Sequence, residues 1–264
     1  MTELIETAAD LEPSTRKAFR RLILSIADSK RLLGIRYSDW LLGAPSIEAG
    51  IAASSLAQDE WGHARLVYSI LKEFDEDPLE LEHQRSSHEY CSADPLDHPF
   101  PDWAAVTAGI VVVDGALTVL LRGLGEGAHQ ALSGRVAKML AEEEYHRDLG
   151  SAWFRRLADS RGEGRERLTA EVAGMLPPTL DAFFPLDTAQ ERLVEAGVLP
   201  ASTLLRERFR DETAELLSLV GAEVPVDTEP PGDWDPVRGR GPGHPDEEAV
   251  ERARGDRNRA LFVE

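Results

Sequence analysis

Cysteine is nearly absent from this 264-residue sequence. Cys91 stands alone, which excludes an intrachain disulfide framework and any Cys-x-x-Cys metal knuckle. A chain without disulfides fits a reducing, cytoplasmic setting. Basic charge is also short: 29 Lys and Arg face 48 Asp and Glu, for a net charge of −19. Phosphate backbones and anionic lipid surfaces are bound by basic patches, so neither nucleic acid nor a membrane is an expected partner. Purely aliphatic runs, such as residues 110–113, fall far short of the roughly 18 apolar residues of a membrane span. The opening MTELIETAAD is acidic and has no apolar stretch, unlike a secretory signal. No window alternates apolar and polar residues as a strand would, and no repeat of fixed period is present. What remains, at 42% hydrophobic residues, can bury a sizeable core in helices, and the expected fold class is all-α.

The helical period predicts four long amphipathic helices, followed by a helical appendage and a proline-rich tail. The first is expected over about 14–42, ending before Ala44-Pro45-Ser46. Ser46 is the natural N-cap of the second, which continues to about residue 74. Residues 75–100, with Pro78, Pro95 and Pro99, read as a long connector, able to join helices that are not antiparallel neighbours. The third is expected over about 103–124, with Gly125 and Gly127 as stop signals, and the fourth over about 133–158. Shorter helices are expected over 168–176, ended by Pro177-Pro178, and over 202–220. Residues 1–224 therefore form a ferritin-like helical domain. Residues 225–264, with six prolines, form an extended arm with a last helix over 247–259, whose deletion should leave the bundle folded.

Each of the four apolar stripes is broken near its middle by ionisable residues. The second helix carries Ala52, Leu56, Val67 and Ile70, and among them Glu60 and His63. The fourth carries Val136, Met139, Leu140, Gly150, Trp153 and Leu157, interrupted by Glu143 and His146. The third has Asp114 among Ile110, Val111, Leu117 and Leu121, and the first has Lys30 among Ile23, Ile26, Leu33 and Tyr37. Such groups cost several kcal/mol each when buried alone, so they satisfy one another, bind metal, or both. Glu-x-x-His places carboxylate and imidazole one turn apart on one face. Two such motifs with a carboxylate from each remaining helix make the two-metal site of ferritin-like bundles. Its oxygen and imidazole donors suit Fe(II), and manganese is the other metal they accept. On the first helix, however, an ammonium stands where a carboxylate is required. Two divalent ions call for about four carboxylates, whereas Glu60, Asp114 and Glu143 are three and Lys30 adds a positive charge. One metal beside Lys30, or Lys30 alone, balances better, so the number of bound irons stays open at two, one or none.

At these residues the sequence resembles the PaaA/PaaC family, the ferritin-like subunits of the bacterial phenylacetyl-CoA epoxidase (ring-1,2-phenylacetyl-CoA oxygenase). The resemblance lies in LLGAPSIEAGIAASSLAQDEWGHARLVYSIL, in PLDHPFPDWAAV followed by VVVDGAL, and in AKMLAEEEYHRDLGSAWFRRLA. It implies Glu60, His63, Asp114, Glu143 and His146 as counterparts of the family's iron ligands. Lys30 takes the place of the first-helix glutamate. The family holds an A-type subunit that binds iron and oxygenates, and a C-type partner in which the site is often degenerate. LVEAGVLPASTLLRERF and LVGAEVPVD look like the C-type, while DEWGH and EEEYH look like the A-type. The resemblance implies reductive activation of O₂ and insertion of one oxygen atom into the ring of an aromatic acyl-CoA. It also implies a paralogous ferritin-like subunit, other oxygenase subunits and a separate reductase as partners, since this chain has no Gly-rich dinucleotide loop.

With what the resemblance implies, three functions stay open, the first favoured. The chain is a C-type subunit with a partly degenerate site, a catalytic di-iron subunit of the same complex, or a stand-alone ferritin-like protein that handles iron. Tyr37 and Tyr145 are candidate pocket residues whose simpler role is packing, and Arg36, Arg65 and Arg122 read as solvated helix-face residues. Trp234, between Asp233 and Asp235, is unusual for a free tail and implies that the arm docks on its own bundle or on a neighbour.

Overall fold

The computed structural model describes residues 4–225 and 232–256. Among them every regular element is helical, and only isolated bridges occur, so the all-α expectation for a ferritin-like chain holds. The chain divides into two compact units, one of Met1–Phe19 and Phe100–Gly232, the other of Arg20–Pro99 and Asp233–Glu264. The first long helix, α1 (Pro13–Ser38), gives its opening turns to the former and the remainder to the latter.

In the latter unit, α1 runs beside α2 (Ile47–Tyr68). The Ser46 hydroxyl caps α2 by accepting from the Ala49 N–H at 3.2 Å, as its sequence position predicts. A 3₁₀ extension, Ser69–Phe74, carries the helix on until Asp75 takes a left-handed φ of 62°. A side chain at Gly34 would strike the Trp61 ring, so a residue without Cβ lets the two helices approach. The expected connector holds a short helix, α3 (Pro78–His83), opened by Asp77 as cap and Pro78 at the first position.

In the other unit, α4 (Trp103–Glu126) is the central helix. Asp102 caps it, accepting from the N–H groups of Ala104 and Ala105, and Arg167 grips the same carboxylate at 2.8 Å. Around it lie α5 (Gln130–Ala158), α6 (Glu163–Phe183), α7 (Thr188–Glu195) and α8 (Ser202–Leu219). By length and composition α4 could cross a membrane, yet 89% of its most apolar stretch is buried within the protein. Uninterrupted aliphatic runs do not reveal this property, because Thr107, Gly109, Asp114 and Gly115 divide the sequence without making the helix polar.

The structure corrects several boundaries. α6 passes through Pro177-Pro178 instead of ending there. Two prolines remove the donors to the carbonyls of residues 173 and 174, but Ala173 and Gly174 are exposed to solvent, which lowers the cost of leaving those carbonyls without a backbone donor. Beyond the prolines Thr179, Leu180 and Phe183 are sealed in the core, and their burial outweighs the roughly 3 kcal/mol cost of a helical proline. Along α5 the buried face ends in Phe154 and Ala158 in place of Trp153 and Leu157. Trp153 sits half-buried, edge-on to Trp103 at 5.3 Å between centroids.

The C-terminal arm packs on its own unit. Arg240, fully buried, reaches Ser92 Oγ at 3.1 Å and Asp94 at 2.9 Å, and also pairs with Asp97. The Gly241 N–H donates to Asp94 at 3.0 Å, and the Asp246 N–H to the Asp97 carbonyl at 2.9 Å. The last helix, α9 (Glu247–Arg254), buries Ala249, Val250 and Ala253. Residues 226–231 and 257–264, including Pro230, Pro231 and the expected end of this helix, lie outside the described residues. A chain cut at residue 232 leaves the Asp94 and Asp97 carboxylates without the guanidinium that neutralises them. We expect a loss of at least about 3 kcal/mol of stability, measured by thermal and chemical unfolding; an unchanged midpoint would mean that the arm's ion pairs contribute nothing.

Candidate metal centre

Each of the two units buries ionisable residues deep in its helices. In the unit of α4 and α5, Asp114, Glu143 and His146 come together, with ligand atoms within 4.8 Å of one another. His146 Nδ1 is 2.9 Å from Asp114 Oδ2 and 3.5 Å from Glu143 Oε2, and all three residues are at most 2% exposed. The Glu143/His146 pair faces one way because three residues in an α-helix make nearly one turn. Asp114 reaches them through a π-helical stretch, Gly109–Asp114, inside α4. π-turns of this kind concentrate at functional sites, because the inserted residue re-aims the side chains that follow. The close approach of α5 depends on Gly150, where a Cβ would press against Ile110 and come within 3.3 Å of Val111.

Thr118 is a member of this cluster that sequence reasoning missed. Its hydroxyl is 2.9 Å from Glu143 Oε2 and 3.0 Å from the Asp114 carbonyl, and its single hydrogen serves one of them. It follows Asp114 by four residues, the one hint available in the sequence. A cavity of about 70 Å³ adjoins the cluster, walled by Ile110, Val111, Phe209 and Leu216. At roughly 10–15 Å³ per water centre it has room for a few waters. Neither Tyr37 nor Tyr145 lines it: Tyr37 is packed in the core, and Tyr145 is 49% exposed.

In the unit of α1 and α2, Lys30 Nζ donates to Glu60 Oε1 at 2.9 Å, and neither side chain has any exposed surface. His63, one turn further along α2, is 1% exposed. The ammonium therefore points inward, and solvent does not receive it. Asp28, two residues earlier, serves a separate network. It accepts from Arg85 Nη1 at 2.9 Å, from the Cys91 N–H at 2.8 Å and from the Tyr68 hydroxyl. Burial pushes the Tyr68 hydroxyl far up from its usual value, and the Asp28 charge adds to the effect. For the same two reasons the Cys91 thiol is pushed up to about 12, so the chain's sole cysteine stays protonated and inert. Burial pulls the Arg85 guanidinium down, but Asp28 beside it more than reverses that, and the net shift is upward.

Of the three arginines expected on solvated helix faces, Arg36 departs from that expectation. Arg36 is 1% exposed and donates to the Leu96 carbonyl at 2.8 Å while pairing with Asp246 of the arm. It is a structural tie. Arg65 keeps a solvated side chain, 73% exposed, and Arg122 pairs with Glu212 at the surface.

The donors fit a metal of the Fe(II) or Mn(II) type: in the α4–α5 cluster two carboxylates and an imidazole are buried together. At Glu60 the fit is poor, because an ammonium already holds the carboxylate. These features define a class, an all-α protein of ferritin-like type with buried carboxylates and histidine that could hold a metal. Within it, the family model for PaaA_PaaC, described as phenylacetic acid catabolic protein, matches residues 1–240, and the chain belongs to that family. No curated protein matches the chain closely enough to count as a relative.

The Asp28 network supports the turn of α1 that carries Lys30. Replacing Asp28 with Ala leaves the Arg85 guanidinium buried and uncompensated, which we expect to lower stability by roughly 3–5 kcal/mol. Urea unfolding measures it, and a loss under about 1 kcal/mol would show that Arg85 finds solvent unaided.

Proposed function

We propose that this chain is a C-type subunit of a phenylacetyl-CoA epoxidase-like oxygenase, active in the cytoplasmic breakdown of aromatic acids. Membership of the phenylacetic acid catabolic family sets the pathway. The Lys30–Glu60 pair carries the finer reading. In the family pattern a first-helix glutamate would add a fourth carboxylate; here the same position supplies a cation that occupies a carboxylate already present. Glu60, His63, Asp114, Glu143 and His146 are then counterparts of the family's ligands in a set whose charge favours a reduced metal load. Iron, bound there, would supply the reduction of O₂ for ring epoxidation. The chain's own residues answer charge instead: Lys30 pairs with Glu60, and His146 Nδ1 lies within hydrogen-bond distance of Asp114.

Two further observations support a partner role. The cavity beside Asp114 and Glu143 is too small for the ring of an acyl-CoA without rearrangement. The α1–α2 turn and the start of α2 expose Leu42, Ile47 and Ile51, at 96%, 80% and 62%, an apolar surface suited to a paralogous subunit. A separate reductase and the acyl-CoA substrate belong to the assembled complex. The catalytic reading keeps one specific support, the retained pair of Glu-x-x-His motifs.

Metal content per chain, measured by elemental analysis after expression in iron-replete cells, tests the proposal. We expect well under two irons per chain, and about one more in Lys30→Glu, which completes a four-carboxylate set. Near two irons in the unaltered chain would sink the C-type reading in favour of an oxygenating subunit. An unchanged load in Lys30→Glu would mean that Lys30 is not what limits binding.

A further inference from the structure

A second group of metal-ligating side chains stands apart from the buried clusters. His88 lies on a 3₁₀ turn of the connector (Ser87–Glu89), and His244 and Glu247 belong to the C-terminal arm, at the entry to α9. All three are in the same compact unit. Each has a ligand atom within 4.8 Å of the other two, and the two imidazole rings are 3.9 Å apart at their centroids. We propose that His88, His244 and Glu247 form a binding site for a divalent zinc-type cation, which clips the C-terminal arm to the connector.

The donor chemistry selects the ion. Two imidazoles and one carboxylate, with a position left for water, are a common ligand set for Zn(II), and imidazole also suits Ni(II) and Cu(II) by the usual affinity order. Neighbouring groups set the ligands in advance. His244 Nδ1 is 3.0 Å from the Pro245 carbonyl. A carbonyl only accepts, so Nδ1 carries the proton and Nε2 keeps its lone pair for the metal, the arrangement by which imidazole ligands are commonly oriented. The Ser87 hydroxyl donates to the Glu247 carboxylate, leaving the second oxygen for the ion. The strap from Arg240 to Asp246 is already fastened to Asp94 and Asp97, and so little ordering remains at the moment of binding. The net charge of −19 draws cations to the surface.

The site uses none of the residues of the buried clusters, and iron content reads those separately. The experiment titrates the full, chelator-stripped chain with Zn(II) by calorimetry at neutral pH. The unaltered chain is compared with His88→Ala, His244→Ala and, as control, His98→Ala, an exposed histidine outside the group. Circular dichroism checks that each variant is folded. Any zinc taken by the buried residues is common to all four chains. We expect His88→Ala and His244→Ala each to lose one equivalent, or to bind it on the order of 10–100-fold more weakly. His98→Ala should bind as the unaltered chain does. Zinc should also raise the melting temperature of the unaltered chain more than that of His244→Ala, because a ligand held only by the folded arm stabilises it. Equal stoichiometry and affinity in all four chains would overturn the proposal, and so would an equal loss in His98→Ala.

Discussion

An ammonium sealed away from water must be held by a carboxylate, and Lys30 and Glu60 hold each other with no exposed surface on either. Removing either partner would strand a charge in a medium that solvates it poorly. Everything around the pair respects that constraint. Asp28, two residues from Lys30, is taken up by Arg85, Tyr68 and the Cys91 amide, so it does not compete for the ammonium. Glu60 stays on the apolar face of α2 because its charge is answered there.

The same rule of compensation runs through both units. Where Asp114 and Glu143 bring two negative charges to the core, His146 and Thr118 provide donors. Arg206 closes the end of α6 by donating to the Phe184 carbonyl at 3.0 Å and lying 3.6 Å from Asp181. Arg240 and Arg36 tie the arm to the connector and to α1. Buried arginine is thus a recurrent device of this chain. Its planar fork spreads one charge over several acceptors, which suits it to buried pairs better than lysine. Lys30, paired with Glu60, is a buried lysine among these arginines.

On the proposed reading, an ammonium in place of a carboxylate at one helical position is what would set this chain apart from an oxygenating subunit. The π-stretch at Gly109–Asp114 aims Asp114 toward His146 and Glu143.

The helices and the ionisable residues on their apolar faces were legible in the sequence, because the 3.6-residue period assigns each residue to a face before any neighbour is known. So was the N-cap at Ser46, since capping depends on a few adjacent residues. Four things needed tertiary structure. The passage of α6 through Pro177-Pro178 depends on the burial of Leu180 and Phe183 beyond them. The π-stretch in α4 has no mark in residue order, and neither does Thr118's approach to Glu143. The arm's place on its own unit depends on Arg240 meeting Asp94 and Asp97, residues far away along the chain. Local chemistry is written along the chain, but which distant charges meet is decided only when packing brings them into contact.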